Sequence, residues 1–592
     1  MKKSLLAFPA LALALAATLP ATAADKAVSL KFNPQNYTEK SLTMPDGSTV
    51  RFRAYEQIYY VKNVEDPTYQ TLNVYIPEAL YARGGNADSA PIFLKTNIGG
   101  YMAVPAGAPR AFDVTGRALQ EGFVVCIPGS RGRNSTVDKN GKKIYTGRAP
   151  AGLLDLKAAV RYLRHNDKIM PGNAEKIITD GTSAGGAMSS LLGATGNSPL
   201  YANLLKKMGA ADARDDVFAA VCYCPITDLD HADMAYEWLF QGTNGNSRNL
   251  SAEQKKVSAE LAAAFPKYLR SLKLKKPDGT PITEENYADY IRSFLVKSAQ
   301  RARNEGATIS TDVGVTLSGG DFGMPAGAPP RIGTNSAGGN AQNAQNTQNG
   351  RPSGGPPSGT PPNFGNGNAP TGAPPNGLPA GAPPDLAAGN SSHGNAAANA
   401  KNAKAQRGNA HNAQTAQRGN AQNSGGPRMM HGGNGGNSQQ GEIVSAFDLQ
   451  KYLNSLARGL KSPPAFDAKG VVSDKASPEN EVFGDESGSS ANFTAFSAAK
   501  SGTAAPAGDL AQRIFLMNPM NFIDDAKATK APHWYIRHGA SDTDTSFCVP
   551  VNLATKLMNC GFDVDFRLPW GRPHSGDYNL DDLFEWIHRV AD

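Results

Sequence analysis

The chain has 592 residues, 40% of them hydrophobic and 19% charged, with a formal net charge of +7. That length suits one large domain or two or three smaller ones, and five cysteines exclude a scaffold built on disulfides. Most of the positive excess lies in residues 331–440 and in Lys2 and Lys3, so the remainder is near neutral and a broad basic surface for nucleic acid is excluded.

Residues 1–24 read as an export leader: Lys2 and Lys3, an apolar stretch from Leu5 to Leu19, and a small-residue cleavage site at Ala21-Thr22-Ala23. No later stretch is long and apolar enough for stable membrane insertion, so a soluble protein of the periplasm or exterior is expected. Strand-like runs follow at Val50–Tyr55 and Gln70–Ile76. Short apolar runs then recur at Ala90–Lys95, Gly122–Pro128, Lys176–Asp180 and Val217–Tyr223. Between them Leu153, Leu156, Val160 and Leu163 keep helical spacing. Buried strands alternating with helices predict a mainly parallel sheet covered on both faces.

After Cys224-Pro225 the pattern turns to long helical segments, Ser251–Leu272 and Tyr287–Arg301. Residues 318–441 are dominated by Gly, Asn, Ala, Pro, Gln and Ser, and Ala-Gln-Arg-Gly-Asn-Ala occurs at 405–410 and again at 416–421. Such a tract holds too few large apolar side chains to offset its ordering entropy, and a disordered insertion with both ends at the surface is expected. A helical pattern resumes over Phe447–Leu460, strands return at His533–His538 and Phe562–Leu568, and a last helix is expected from Leu580 to Val590. The expected organisation is an α/β domain in two parts, 25–224 and 511–592, around a mostly helical cap at 225–510. Cys222 and Cys224 are expected to share a strand face, and Cys548 and Cys560 to flank a helix about 18 Å apart, so neither pair can bridge. Buried thiols are expected, with a pairing between more distant cysteines left open.

Gly181-Thr182-Ser183-Ala184-Gly185 follows one predicted strand and opens an apolar helical run, the setting of a G-x-S-x-G elbow that lifts a serine onto the end of a sheet. A serine hydroxyl needs a base to take its proton and an acid to orient that base. Where such an elbow occurs, the chain order is serine, acid, histidine. His574, in the turn after the last strand, is the base candidate ahead of His533, His538 and His588. The loop after the preceding strand offers two acids, Asp542 and Asp544, of which Asp542 comes first. An oxyanion needs backbone donors, here expected from Ala184 and from Gly100 or Gly99 in Asn97-Ile98-Gly99-Gly100-Tyr101.

These stretches carry a closer likeness. Asn97–Tyr101, Arg131-Gly132-Arg133, Gly181–Ala187, His231–Trp238, Pro464–Asp467, Ser477–Asn480, Arg537-His538-Gly539 and Pro573–Tyr578 resemble bacterial tannases, serine esterases of the α/β-hydrolase fold that cleave galloyl esters. The resemblance implies a triad of Ser183, Asp542 and His574. It further implies that Lys461, Glu479 and Asp544 meet the phenolic hydroxyls of a galloyl ring, and it calls for no cofactor and no metal. The small-molecule partner it implies is a galloyl ester; it implies nothing about oligomeric state. The rival readings are a feruloyl or general carboxylesterase of the same fold and a non-catalytic binding protein.

Overall fold

The computed structural model describes residues 28–82, 86–243, 248–318 and 443–591. The leader at 1–24 and all of the 318–441 tract except Ser318 lie outside them. The strands of the main sheet are β1 (Thr38–Thr43), β2 (Thr49–Tyr59), β3 (Thr71–Pro77), β4 (Pro91–Thr96), β5 (Val124–Pro128), β6 (Asn173–Thr182), β7 (Ala219–Tyr223), β8 (His533–Arg537) and β9 (Asp563–Arg567). They form one nine-stranded sheet in the order β1-β2-β3-β5-β4-β6-β7-β8-β9.

The sheet is mixed. From β5 to β9 every pairing is parallel, while β1, β2, β3 and β5 pair antiparallel. The reason is local at the first pairing. A tight turn closes β1 onto β2 through Met44 N–H to the Ser48 carbonyl at 2.8 Å, and so short a link can join only antiparallel strands.

Side chains of the parallel strands alternate between two apolar layers, as a pleated strand requires. Ile92, Leu94, Val124, Cys126, Ile177, Ala220, Cys222, Trp534 and Ile536 face one layer, with Leu153, Leu156, Val160 and Leu163 of helix Ala151–His165. Phe93, Val125, Ile127, Ile178, Ala219, Val221 and Tyr535 face the other, with Leu119 of helix Val114–Gln120 and Phe584 and Ile587 of helix Leu580–Ala591. Among the described residues between β7 and β8 most regular elements are helices, including Leu229–Phe240, Ala252–Ser271 and Glu284–Asn304. These helices join the first layer through Tyr236, Phe265, Tyr287 and Ile291.

Two details depart from expectation. Phe447 ends a short strand, Ile443–Phe447, and the helix expected from it begins only at Leu449, capped by Asp448. That strand pairs antiparallel with Val315–Ser318, so the chain leaves and re-enters the described residues on neighbouring strands. Cys224 lies past the end of β7 with a left-handed φ of 42°, not on a shared strand face with Cys222. All five cysteines are free, and only Cys560 is exposed. No helix among the described residues is long and apolar enough to cross a membrane.

Candidate active site

β6 ends at Thr182 and the next helix starts at Ala184, so Ser183 makes the whole turn. Its φ of 62° and ψ of −125° are unfavourable for a residue with a Cβ and persist only where the surroundings impose them. They do so here. Ser183 N–H donates to the Tyr223 carbonyl at 2.9 Å, and the Ser183 carbonyl accepts from Ala187 N–H at 2.9 Å. The flanking glycines are needed for space: a Cβ on Gly185 would lie 2.7 Å from the Thr96 carbonyl oxygen, and one on Gly186 would lie 2.6 Å from that of Tyr223.

His574 stands on the loop after β9, and its Nδ1 lies 2.8 Å from Asp542 Oδ2. Asp542 is fully buried, and its Oδ1 accepts from the N–H groups of Asp544 at 2.8 Å and Thr545 at 3.4 Å. Burial opposes its ionisation, but the charges of His538 and His574 and the His574 hydrogen bond outweigh it and lower its pKa to about 2. Burial alone would lower the pKa of His574; the hydrogen bond it donates to Asp542 and the charges of Asp542 and Asp544 overcome it and raise it. The same loop abuts the elbow. Ser575 O accepts from Cys224 Sγ at 3.3 Å, and a Cβ on Gly576 would collide with Thr182.

Beside the histidine is a charged group. Asp544 Oδ2 is 3.9 Å from His574 Nδ1, and Asp544 Oδ1 is 3.4 Å from Lys461 Nζ. That ammonium also sits 4.7 Å from the centre of the Phe466 ring. Tyr236 ties the two segments together: its hydroxyl donates to the Thr543 carbonyl at 2.6 Å and accepts from Lys461 N–H at 2.8 Å. Glu479 is the second residue of the short helix Pro478–Val482, which is fixed by a capping box from Ser477 and Asn480. Glu479 is only 6% exposed. Burial pushes its pKa up, while the Lys461 and Arg133 charges pull the other way.

Ala184 is the first residue of its helix, where the N–H has no acceptor within the helix. Gly100, with φ 53°, lies in the loop after β4, and that loop touches the elbow helix through Gly185 N–H to the Ile98 carbonyl at 2.8 Å.

A family model described as BD-FAE matches residues 135–269. No curated protein sequence matches the chain. Among solved structures, the tannase of Fusobacterium nucleatum is 32% identical, with 95% of this chain and 100% of that one covered and a TM-score of 0.68. Tannin acyl hydrolase from Lactobacillus plantarum is 31% identical over 95% of this chain and 99% of its own, with a TM-score of 0.68. A tannin acyl hydrolase in complex with ethyl gallate is 32% identical over the same shares, again with a TM-score of 0.68. The chain belongs to the bacterial tannase family. It is a carboxylic ester hydrolase of the α/β-hydrolase fold.

Within this tannase-family fold two of the other candidate histidines are engaged elsewhere. His533 pairs with Asp563 at 2.9 Å and His588 approaches Glu121 at 3.2 Å. His538 is fully buried, with Nδ1 3.5 Å from Asp542 Oδ2, so it neighbours the acid. Sequence reasoning did not foresee that His538 and Cys224 pack around the Asp542–His574 pair. It also missed a buried charge cluster under the histidine loop. Lys95 Nζ pairs with Asp180 and lies 2.7 Å from Asp577 Oδ2. Asp180 is three residues before Ser183 and Asp577 three after His574, so the cluster ties both segments to β4. Asp228, Asp230 and His231 bring ligand atoms within 4.8 Å of one another. His231 already bonds Asp228 at 2.8 Å. Burial works against its charge, but Asp228 prevails and lifts its pKa to about 10, so the imidazole is committed to Asp228.

Proposed function

We propose that the chain hydrolyses galloyl esters through a galloyl-enzyme intermediate. His574 takes the proton of Ser183 as its Oγ attacks the ester carbonyl, and the Gly100 and Ala184 N–H groups hold the oxyanion. His574 returns the proton to the departing alcohol. Water then attacks the acyl-enzyme by the same route and releases gallate. Asp542 keeps the imidazole in the tautomer that leaves Nε2 free to accept. The observation that carries this reading is the 2.8 Å contact between His574 and Asp542, on a loop packed against the Ser183 elbow.

The substrate class rests on the charges beside that pair. A trihydroxy ring presents three O–H groups: carboxylates accept from them and an ammonium donates to their oxygens. Glu479, Asp544 and Lys461 are that donor and acceptor set, and a related tannin acyl hydrolase forms a complex with ethyl gallate. A site that binds hydroxyls rejects rings lacking them, because its buried polar groups are left unpaired. Export through the 1–24 leader would place the enzyme in the periplasm or outside the cell. The test is release of gallate from methyl gallate, with methyl ferulate as competitor and Ser183→Ala as control. Preference for ferulate would overturn the galloyl assignment, and retained turnover in Ser183→Ala would overturn the nucleophile.

A further inference from the structure

Gly100 and Tyr101 are consecutive residues with left-handed backbones, φ 53° and 56°. Tyr101 lacks a glycine's freedom, so something must hold it there. Its ring is buried, and its hydroxyl donates to the Ile226 carbonyl at 2.8 Å. Both carbonyls of the pair are held by one residue. Arg133 Nε donates to the Gly100 carbonyl at 2.8 Å, and Arg133 backbone N–H donates to the Tyr101 carbonyl at 2.8 Å. The far side of the same guanidinium pairs with Glu481, on the helix that carries Glu479.

The geometry points to Arg133 as a positioning residue that fixes the oxyanion loop against the helix of the ring pocket. This deepens the galloyl-esterase reading and rests on it for the ring. Gly100 bears both the proposed oxyanion donor and the clamped carbonyl, and it has no side chain to anchor itself. Releasing the carbonyl therefore frees the residue, and its N–H with it. Peptide planarity adds that a fixed Gly100 carbonyl also fixes the Tyr101 N–H on the opposite edge. Arginine suits the task because its planar fork reaches two acceptors in fixed directions, where a lysine ammonium is a point charge on a flexible stem. The helix has other anchors: Ala149 N–H donates to the Val482 carbonyl at 2.8 Å, and Arg148 bonds the Glu481 carbonyl. Arg133 can therefore be altered without undocking the helix.

Arg133→Lys should lower kcat on methyl gallate by about 10- to 100-fold, within what one lost oxyanion donor costs, with KM changed less than about threefold. Two inhibitors separate positioning from a structural role. Phenylboronic acid accepts Ser183 Oγ at boron and becomes a tetrahedral anion, with the hydroxyl proton passing to His574, so it needs the oxyanion donors. Gallate binds as product and does not. The boronate inhibition constant should rise by the same factor as kcat falls, while that of gallate stays within about threefold. Glu481→Gln breaks the ion pair, keeps the Arg133–Gly100 bond, and should give a smaller loss in the same direction. It also carries the test if Arg133→Lys folds poorly. Weakened gallate binding with unchanged kcat and boronate affinity, or no change in any of them, would overturn the inference. A wild-type enzyme that released no gallate would instead refute the galloyl reading, since the boronate comparison does not depend on which ester is cleaved.

Discussion

Replacing Gly576 by alanine should disable the enzyme without a change in chemistry. Gly576 does not have a positive φ, so alanine meets no backbone penalty there and the effect is one of space. The new Cβ would strike Thr182 Oγ1 and lie 2.8 Å from Thr182 Cβ and 2.9 Å from Cγ2. Carbon atoms settle at about 3.5–4.0 Å, so the loop must retreat by about 1 Å. It bears His574 two residues away, and Thr182 precedes Ser183, so the retreat widens the gap between the proposed base and the proposed nucleophile. A misplacement of that size costs on the order of 10²-fold in rate, against a stability loss of about 1–3 kcal/mol for overpacking. Steady-state turnover of methyl gallate and urea unfolding on the same preparation would measure both. Thr182→Ala removes Oγ1 and Cγ2 but not Cβ, so in the Gly576→Ala background it should recover part of the lost kcat, a coupling that a double-mutant cycle isolates. A kcat within threefold of wild type, alongside the expected stability loss, would show that the Gly576–Thr182 contact does not set the position of His574.

Lys95→Met should cost about 3–5 kcal/mol, because it leaves two carboxylates without their buried partner. Burial and Asp577 already raise the pKa of Asp180 while Lys95 holds it down, and the variant removes that restraint. A carboxyl with a raised folded pKa favours the fold at low pH and disfavours it as the pH rises. The deficit should therefore be smaller at pH 5 than at pH 8 by denaturant titration, and a pH-independent deficit would contradict the assignment. The acid limb of kcat/KM on methyl gallate, with each variant scaled to its own plateau, should report His574. The charge of Asp544 raises its pKa and that of Lys461 lowers it. Asp544→Asn should then carry activity to lower pH and Lys461→Met should lose it at higher pH; shifts in the same direction would refute the arrangement.

What the sequence made legible follows from where each signal lives. β4 to β8 are buried on both faces, so each reads as an apolar run bounded by a turn or a glycine, and the elbow announces itself because its glycines, serine and flanking strand are contiguous. β1, Thr-Glu-Lys-Ser-Leu-Thr, has nearly every residue exposed and gives neither an apolar run nor an alternation; its place comes from pairing with β2 alone. The hairpin of Thr136–Lys139 and Lys142–Tyr145 is polar for the same reason. Phe447 looked like the start of a helix because its apolar partners, Tyr452 and Trp570, are chosen by the fold.

The site divides in the same way. Ser183, Asp542 and His574 each sit in a local pattern of strand end and turn, and their order along the chain adds the rest. The supporting groups have no local pattern. Arg133 reaches Gly100 across 33 residues and Glu481 across 348, and the span from Lys95 to Asp577 is 482. Glu479 and Glu481 show the limit most plainly. They stand two residues apart on one short helix in a run of polar residues, yet the Glu479 residue is 6% exposed and the Glu481 side chain 39%. Only resemblance singled out Glu479 from the sequence, because the difference is made by Lys461, Tyr101 and Arg133 arriving from elsewhere in the chain. A substitution that preserves local charge and helix propensity, such as Glu479→Gln, should therefore be nearly silent for folding of the helix and costly for a ring bearing hydroxyls. The reverse order of effects would place Glu479 among the fold's structural groups instead of its ring contacts.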